Sequence, residues 1–108
     1  MPNNPELLPE KVKIGGYMYN VTLSEDPIVN NNKVCFATIA YTGGEIEVLD
    51  EISQDAKWQA LFHEVLHGIG FDRNIDILLN DENLVDALAS GLAALCKDNN
   101  IKWEGLNE

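Results

Sequence analysis

The sequence predicts a small α+β domain in which an N-terminal antiparallel sheet of about three strands is followed by two helices. In the first half of the chain, apolar and polar side chains alternate in runs rich in β-branched and aromatic residues, which is typical of strands. In the second half, apolar residues recur every three or four positions, which is typical of helices that bury one face. Because 108 residues can enclose one core but not two, we expect a single domain over residues 11–108.

The sheet is expected to follow an extended arm at residues 1–10, which hold three of the four prolines. From Val12 to Leu23 the strand pattern holds, with a bulge or turn at Gly15-Gly16. A second strand from Val34 to Tyr41 ends at a Thr-Gly-Gly sequence, and the segment from Glu45 to Leu49 alternates acidic and aliphatic side chains. The last two strands are therefore expected to form a hairpin.

The first helix is expected to begin near Ser53, a residue type that caps helix N-termini. Gly68 and Gly70 are expected to end it, because glycine is common at helix C-termini. A loop and a short apolar run from Ile75 to Leu79 then lead to the last helix.

The last helix is expected to begin at Asn80 or Asp81 and to fade near Lys97. Its buried stripe is predicted to consist of four leucines, namely Leu84, Leu88, Leu92 and Leu95. In the tail that follows, Trp103 is expected to pack on the domain.

The charge balance is strongly acidic, with 18 acidic and 7 basic residues and a formal net charge of −11. This balance excludes the basic surface by which proteins bind nucleic acid. No apolar run approaches the roughly 20 residues of a membrane span, and the first residues lack the features of a secretory signal. We therefore expect a cytoplasmic protein without a membrane partner, in which Cys35 and Cys96 are reduced core thiols.

The most informative segment is His63-Glu64-Val65-Leu66-His67, which lies in the first predicted helix. Residues four apart share one helix face, so both imidazoles can bind one metal ion, whereas Glu64 projects about 100° around the helix axis. Its carboxylate then lies beside the ion, where it can take a proton from a water that attacks a carbonyl. Zn²⁺ suits imidazole nitrogen and commonly takes three protein ligands in catalytic sites.

A third ligand has to come from outside this motif, because the chain has two histidines. Glu82, 15 residues beyond His67, is the expected ligand, since it begins a stripe on the last helix that can approach the histidines closely. Asp86 lies one turn further and is expected to accept the other ring N–H of a metal-binding histidine. Asp72 and Asp76 on the intervening loop are alternative ligands. Small residues accompany both stripes: Ala56, Ala60, Ala89 and Ala93.

Two further parts of a catalytic site have weaker signals. A donor that stabilises an oxyanion is usual near such a zinc, and Tyr41, Tyr19 and Arg73 are candidates. The strand from Glu45 to Leu49 is a candidate to receive an extended substrate by strand addition.

The pattern His63-Glu64-x-x-His67 followed by Glu82-x-x-x-Asp86 resembles the gluzincin signature, in which a zinc-binding helix precedes a glutamate ligand and an aspartate one turn later. The small size and the hairpin-before-helix order are similar to minimal gluzincins and to the ImmA/IrrE-like metallopeptidases of phages and mobile elements. The resemblance implies a minimal zincin-like fold, zinc on His63, His67 and Glu82, Glu64 as general base, and a peptide bound along the strand before the active-site helix.

The chain departs from related patterns in two places. Glu82 follows His67 by 15 positions, a shorter spacing than in typical large gluzincins. Gly70 matches the glycine of the metzincin pattern, but Arg73 stands where that pattern has its third histidine, so the metzincin interpretation fails.

The sequence therefore predicts a zinc-dependent metallopeptidase that hydrolyses a peptide bond, and the acidic surface favours a peptide or protein substrate of basic character. The alternative is a non-catalytic acidic adaptor that mimics DNA on a basic protein surface and holds a merely structural metal. A degenerate peptidase that binds zinc without cleaving is a third possibility. Exchange of Glu64 for glutamine separates the enzyme from the other two.

Overall fold

Six strands precede three helices between residues 8 and 103, the part of the chain that the computed structural model describes. The strands are β1 (Lys11–Ile14), β2 (Tyr17–Ser24), β3 (Ile28–Asn30), β4 (Lys33–Cys35), β5 (Ala37–Ala40) and β6 (Glu45–Leu49). The helices are α1 (Gln54–Arg73), α2 (Asp76–Asn80) and α3 (Glu82–Asp98). The predicted α+β class, with strands before helices, is confirmed. Residues 1–7, most of the predicted arm, and residues 104–108 lie outside the described part.

Four strands form one mixed sheet in the order β1-β2-β6-β5. The outer pairs are antiparallel hairpins, as predicted for β5 and β6, but β2 and β6 run parallel in the centre. The prediction of a purely antiparallel sheet of about three strands is therefore wrong. Alternation along the chain identifies each hairpin, but it does not reveal that the two hairpins join through β2 and β6. That joining buries Ile46 and Val48 in the centre of the sheet.

Two predicted strands are each divided in two. Gly15 and Gly16, with φ of 59° and 84°, form the turn between β1 and β2. The strand predicted from residue 34 is interrupted at Phe36, so that β4 pairs with β3 in a separate hairpin. Its register leaves Asn31 and Asn32 as a two-residue turn with φ of 54° and 63°, and a type I′ turn requires positive φ at both positions. The β3–β4 hairpin is therefore a distinct arm with a fixed register.

Helix α1 begins as predicted and ends later than predicted. The Ser53 hydroxyl accepts a hydrogen bond from the Ala56 N–H at 3.1 Å, which confirms the N-cap. The helix passes through Gly68 and Gly70 and ends before Asn74, which adopts the left-handed conformation. A Cβ on Gly68 would come within 2.7 Å of the Ile14 side chain, and one on Gly70 within 2.8 Å of Leu78. These glycines admit close neighbours instead of ending the helix.

Helix α3 begins at the predicted cap but buries a different face. The Asp81 carboxylate accepts a hydrogen bond from the Leu84 N–H at 3.0 Å. Val85 and Ala89 are fully buried, whereas three of the four leucines predicted as the buried stripe are exposed: Leu88 at 42%, Leu92 at 36% and Leu95 at 51%. The leucine prediction is wrong because α3 packs on α1 through its smaller residues, which turns the leucines to one side.

The molecule has three layers, with α1 between the sheet and α3. The main core fills the space between the sheet and α1 and consists of Val12, Ile14, Tyr19, Ala37, Ile46, Val48, Ala60 and Leu61. A smaller core of Leu66, Val85 and Ala89 joins α1 to α3.

Three other sequence-based expectations concern the surface. Trp103 packs against Trp58 and Phe62, as predicted, with ring centroids 6.4 and 6.1 Å apart. Cys35 and Cys96 are free thiols, but both are only half-buried and belong to neither core. Within the described residues, none of the helices has the length and apolar character that crossing a bilayer requires.

Candidate metal centre

Three potential ligands from two helices converge at one point of a cleft. His63 and His67 lie one turn apart on α1, and their Nε2 atoms are 3.1 Å from each other. Glu82, the first residue of α3, brings Oε1 to 2.8 Å from Nε2 of His63 and Oε2 to 3.0 Å from Nε2 of His67. Among the described residues, these three form a group whose ligand atoms all lie within 4.8 Å of one another. The two helices thus bring together the three residues that the sequence pattern predicted.

The opposite ring nitrogens are held by separate acceptors. His63 Nδ1 is 2.9 Å from the Asp86 carboxylate, in the position predicted for an orienting residue. His67 Nδ1 donates to the backbone carbonyl of Leu78 in α2 at 2.8 Å, because a carbonyl oxygen can only accept. Hydrogen on both Nδ1 atoms leaves the Nε2 lone pairs directed toward Glu82, the arrangement in which imidazole binds a metal.

This arrangement of acceptors fits a divalent cation. With both imidazoles neutral, two nitrogen lone pairs and a carboxylate face one another at 2.8 to 3.1 Å without a hydrogen between them. A single proton on one imidazole or on Glu82 would fill one of these gaps and leave another unfilled. One cation would satisfy all three groups, and a set of two nitrogens and one carboxylate is typical of zinc sites with an open position.

Glu64 lies beside this group and is buried, with 7% of its surface exposed. Burial raises the pKa of its carboxyl group from 4.5 to about 7; the electrostatic interaction with His63 opposes this rise and the interaction with Glu82 adds to it. A carboxyl group with a pKa near neutrality can both accept and return a proton at physiological pH. Glu64 lines the same cleft as the three converging residues.

Of the three candidate oxyanion donors, Tyr41 is the one that lines the cleft. Its ring stacks on Phe71, with centroids 4.4 Å apart and planes 8° apart. Burial raises the pKa of the Tyr41 phenol, and the charge of Glu64 adds to the rise, so the hydroxyl keeps its hydrogen at neutral pH. Tyr19 is 2% exposed within the main core, and Arg73 pairs with Asp72 at the end of α1.

The alternative ligands Asp72 and Asp76 are not part of the converging group. The Asp72 carboxylate lies against the Cα of Gly15 in the β1–β2 turn, where a larger residue than glycine would collide with it. Asp76 is exposed at the start of α2. Neither carboxylate therefore joins the two imidazoles, and Glu82 of α3 supplies the carboxylate instead.

The cleft has a volume of about 810 Å³, within the range of roughly 300–1,000 Å³ common for ligand sites. One wall consists of α1 and the start of α3, and Ala56 and Ala60 leave space above the histidines. The other wall consists of β5 and the β3–β4 hairpin. In the four-stranded sheet β5 is an edge strand, whereas β6 pairs on both sides. The prediction that the strand from Glu45 to Leu49 receives a substrate is therefore wrong, because its backbone groups are already paired.

Sequence reasoning missed two parts of this site. The β3–β4 hairpin is absent from the prediction, which has one continuous strand from Val34 to Tyr41, although Asn31-Asn32 between two valines was an available turn signal. The Leu78 carbonyl that binds His67 is a backbone group, so no residue type could have marked it.

Comparisons with known proteins do not add to this description. A scan against protein-family models found no match, and neither did searches of the curated proteins and of the solved structures. The functional argument therefore depends on the residues of the cleft.

Proposed function

We propose that this protein is a zinc-dependent metallopeptidase of the gluzincin type, in which His63, His67 and Glu82 hold the ion and Glu64 is the general base. The observation that carries the proposal is the convergence of these three ligand groups in a cleft that is also lined by the buried carboxyl group of Glu64. A purely structural metal site does not require a titratable group of this kind next to an open coordination position.

A zinc ion held by His63, His67 and Glu82 would supply a Lewis acid that polarises a carbonyl and makes a water molecule more acidic. Glu64 takes a proton from the attacking water and passes it to the nitrogen of the leaving amine, so its carboxyl group returns to the ionised state. Asp86 and the Leu78 carbonyl keep both imidazoles oriented throughout. The Tyr41 hydroxyl donates a hydrogen bond to the substrate oxygen on which negative charge develops.

The free edge of β5 is the part of the cleft suited to an extended peptide. An edge strand offers unpaired N–H and C=O groups, and an added strand can pair with these backbone groups whatever its side chains are. The net charge of −11 favours the approach of basic substrates over long distances. The proposed substrate is therefore a peptide segment of a basic protein, bound in the extended conformation.

The test compares Glu64→Gln with wild-type protein on a mixed peptide library, with the zinc content of each protein measured by mass spectrometry. Glutamine keeps the size of the side chain but cannot take the proton, so we expect full zinc content and a loss of cleavage of at least about 100-fold. Glu47→Gln is the matched control, because Glu47 is an exposed carboxylate on β6. Equal cleavage by Glu64→Gln and wild type, or zinc-loaded wild type without cleavage, would contradict the proposal, and the second result would favour the acidic adaptor or the degenerate peptidase.

A further inference from the structure

Two apolar side chains on the strand wall of the cleft are exposed. Val34 on β4 is 67% exposed, and Phe36, between β4 and β5, is 54% exposed. Both line the cavity that contains the candidate metal centre. Apolar side chains grouped in a cavity, rather than scattered over a surface, commonly mark the place where a ligand binds.

The backbone that carries these side chains is fixed. The Phe36 carbonyl accepts a hydrogen bond from the Leu49 N–H at 2.8 Å, which attaches it to the end of β6. Val34 lies in the β3–β4 ladder, next to the pair formed by Ile28 and Cys35, and Ile28 is buried. A ligand would therefore meet an apolar surface that is already formed, so little ordering of the protein would oppose binding.

The charged residues that line the cavity do not select strongly among substrates. Three carboxylates line the cavity, from Glu64, Glu82 and Asp86, and Lys33 on the hairpin lies among the same lining residues. Lys33 and a divalent cation at the candidate metal centre would offset most of this negative charge. The acidic surface can thus attract a basic substrate from a distance, while discrimination inside the cleft depends on the apolar side chains.

From these observations we propose that Val34 and Phe36 form a subsite for an aliphatic or aromatic side chain of the substrate. The proposal rests on the proposed function for its occupant: a peptide extended along β5 passes Phe36, because β5 begins at the next residue. Alternate side chains of an extended peptide point to opposite faces, so one face of the peptide meets this subsite. The substrate class becomes a basic, extended segment with an apolar residue near the bond that is cleaved.

The experiment measures binding separately from cleavage. Zinc-loaded Glu64→Gln protein is titrated with two labelled ten-residue basic peptides that differ only in a central leucine or serine, and binding is followed by fluorescence anisotropy. We expect the leucine peptide to bind roughly tenfold more tightly, the size of effect usual for a small difference in an apolar pocket. In the same protein with Val34→Thr and Phe36→Thr added, the ratio should fall to about one. Threonine preserves β-branching at position 34 and is favourable in extended backbone at position 36, and circular dichroism checks that the hairpin variants remain folded.

Val29→Thr is the matched control, because Val29 is the cross-strand partner of Val34 and is 64% exposed but does not line the cavity. It should leave the ratio unchanged. A ratio of one in the parent protein, or a ratio that the double exchange does not alter, would overturn the subsite. If the ratio behaves as expected while wild-type protein cleaves neither peptide, the subsite stands and the peptidase proposal fails.

Discussion

The two walls of the cleft are built on different principles. On the helical wall, each histidine has a hydrogen-bond acceptor at Nδ1 and directs Nε2 toward Glu82, so the potential ligand atoms converge within a narrow space. On the strand wall, β5 has an unpaired edge, and Val34 and Phe36 are exposed. The helical wall thus holds its potential ligand groups at a fixed point, whereas the strand wall leaves groups available to a partner. Variants on the two walls should therefore alter different measured quantities.

The largest effect is expected from Glu82→Gln on the helical wall. The amide oxygen carries no charge and is a poor ligand. Loss of a residue that only orients a ligand costs up to roughly 100-fold in metal affinity, and we expect the loss of a ligand to lower zinc affinity by more than that. Zinc affinity is measured by competition with a chelating dye. Asp98→Asn removes the same charge from the other end of α3 and should leave the affinity unchanged. If the two variants bind zinc equally well, Glu82 is not a ligand.

The second prediction concerns the stability of metal-free protein as a function of pH. Because the folded pKa of Glu64 is about 7 and its ordinary value is 4.5, the folded chain retains a proton that the unfolded chain releases between these values. The contribution of Glu64 to the free energy of unfolding should therefore be largest below about pH 4.5. It should fall by about 3 kcal/mol as the pH rises to about 7. Urea unfolding with a chelator present measures this change. Glu64→Gln should lack this component of the decline, and an identical decline in both proteins would contradict the assignment.

Tyr41→Phe tests whether the Tyr41 hydroxyl, on the strand wall, takes part in the proposed reaction. Removal of the hydroxyl should lower kcat by roughly 100-fold, the cost of losing one oxyanion donor, while KM and zinc content remain nearly unchanged. Phenylalanine keeps the stacking on Phe71, so the fold should not respond. Tyr17→Phe is the control, because the Tyr17 hydroxyl donates to the Thr42 carbonyl. A rise in KM without a change in kcat would indicate that Tyr41 only contacts the substrate.

The smallest effect is expected from Asp86, which contacts His63 and would act on a bound ion only through that residue. Asp86→Ala removes the acceptor for the His63 Nδ1 hydrogen, and zinc affinity should fall by about 10- to 100-fold. Asp86→Asn retains an acceptor oxygen and should restore part of the affinity. The same dye competition measures both variants, and equal losses for alanine and asparagine would indicate that the carboxylate charge alone is important.

The site was more predictable from the sequence than the fold was. A four-residue step on a helix fixes the relation between His63 and His67 by geometry alone, and the same rule relates Glu82 to Asp86. The pairing of β2 with β6 depends on contacts far apart in the chain, which local alternation does not encode. The leucine face of α3 was mispredicted because hydrophobicity does not say which of two apolar faces meets a neighbour, and Val85 and Ala89 fit more closely than leucine would.

The short segment between α1 and α3 determines two contacts of the candidate metal centre. Its α2 supplies the Leu78 carbonyl to His67, and four positions later the chain reaches Glu82. Because both contacts depend on the same short connection, an insertion or deletion there would shift ring orientation and carboxylate position together. The number of residues in this connection thus sets the geometry of the site. We expect the connection to tolerate exchanges of side chains far better than insertions or deletions.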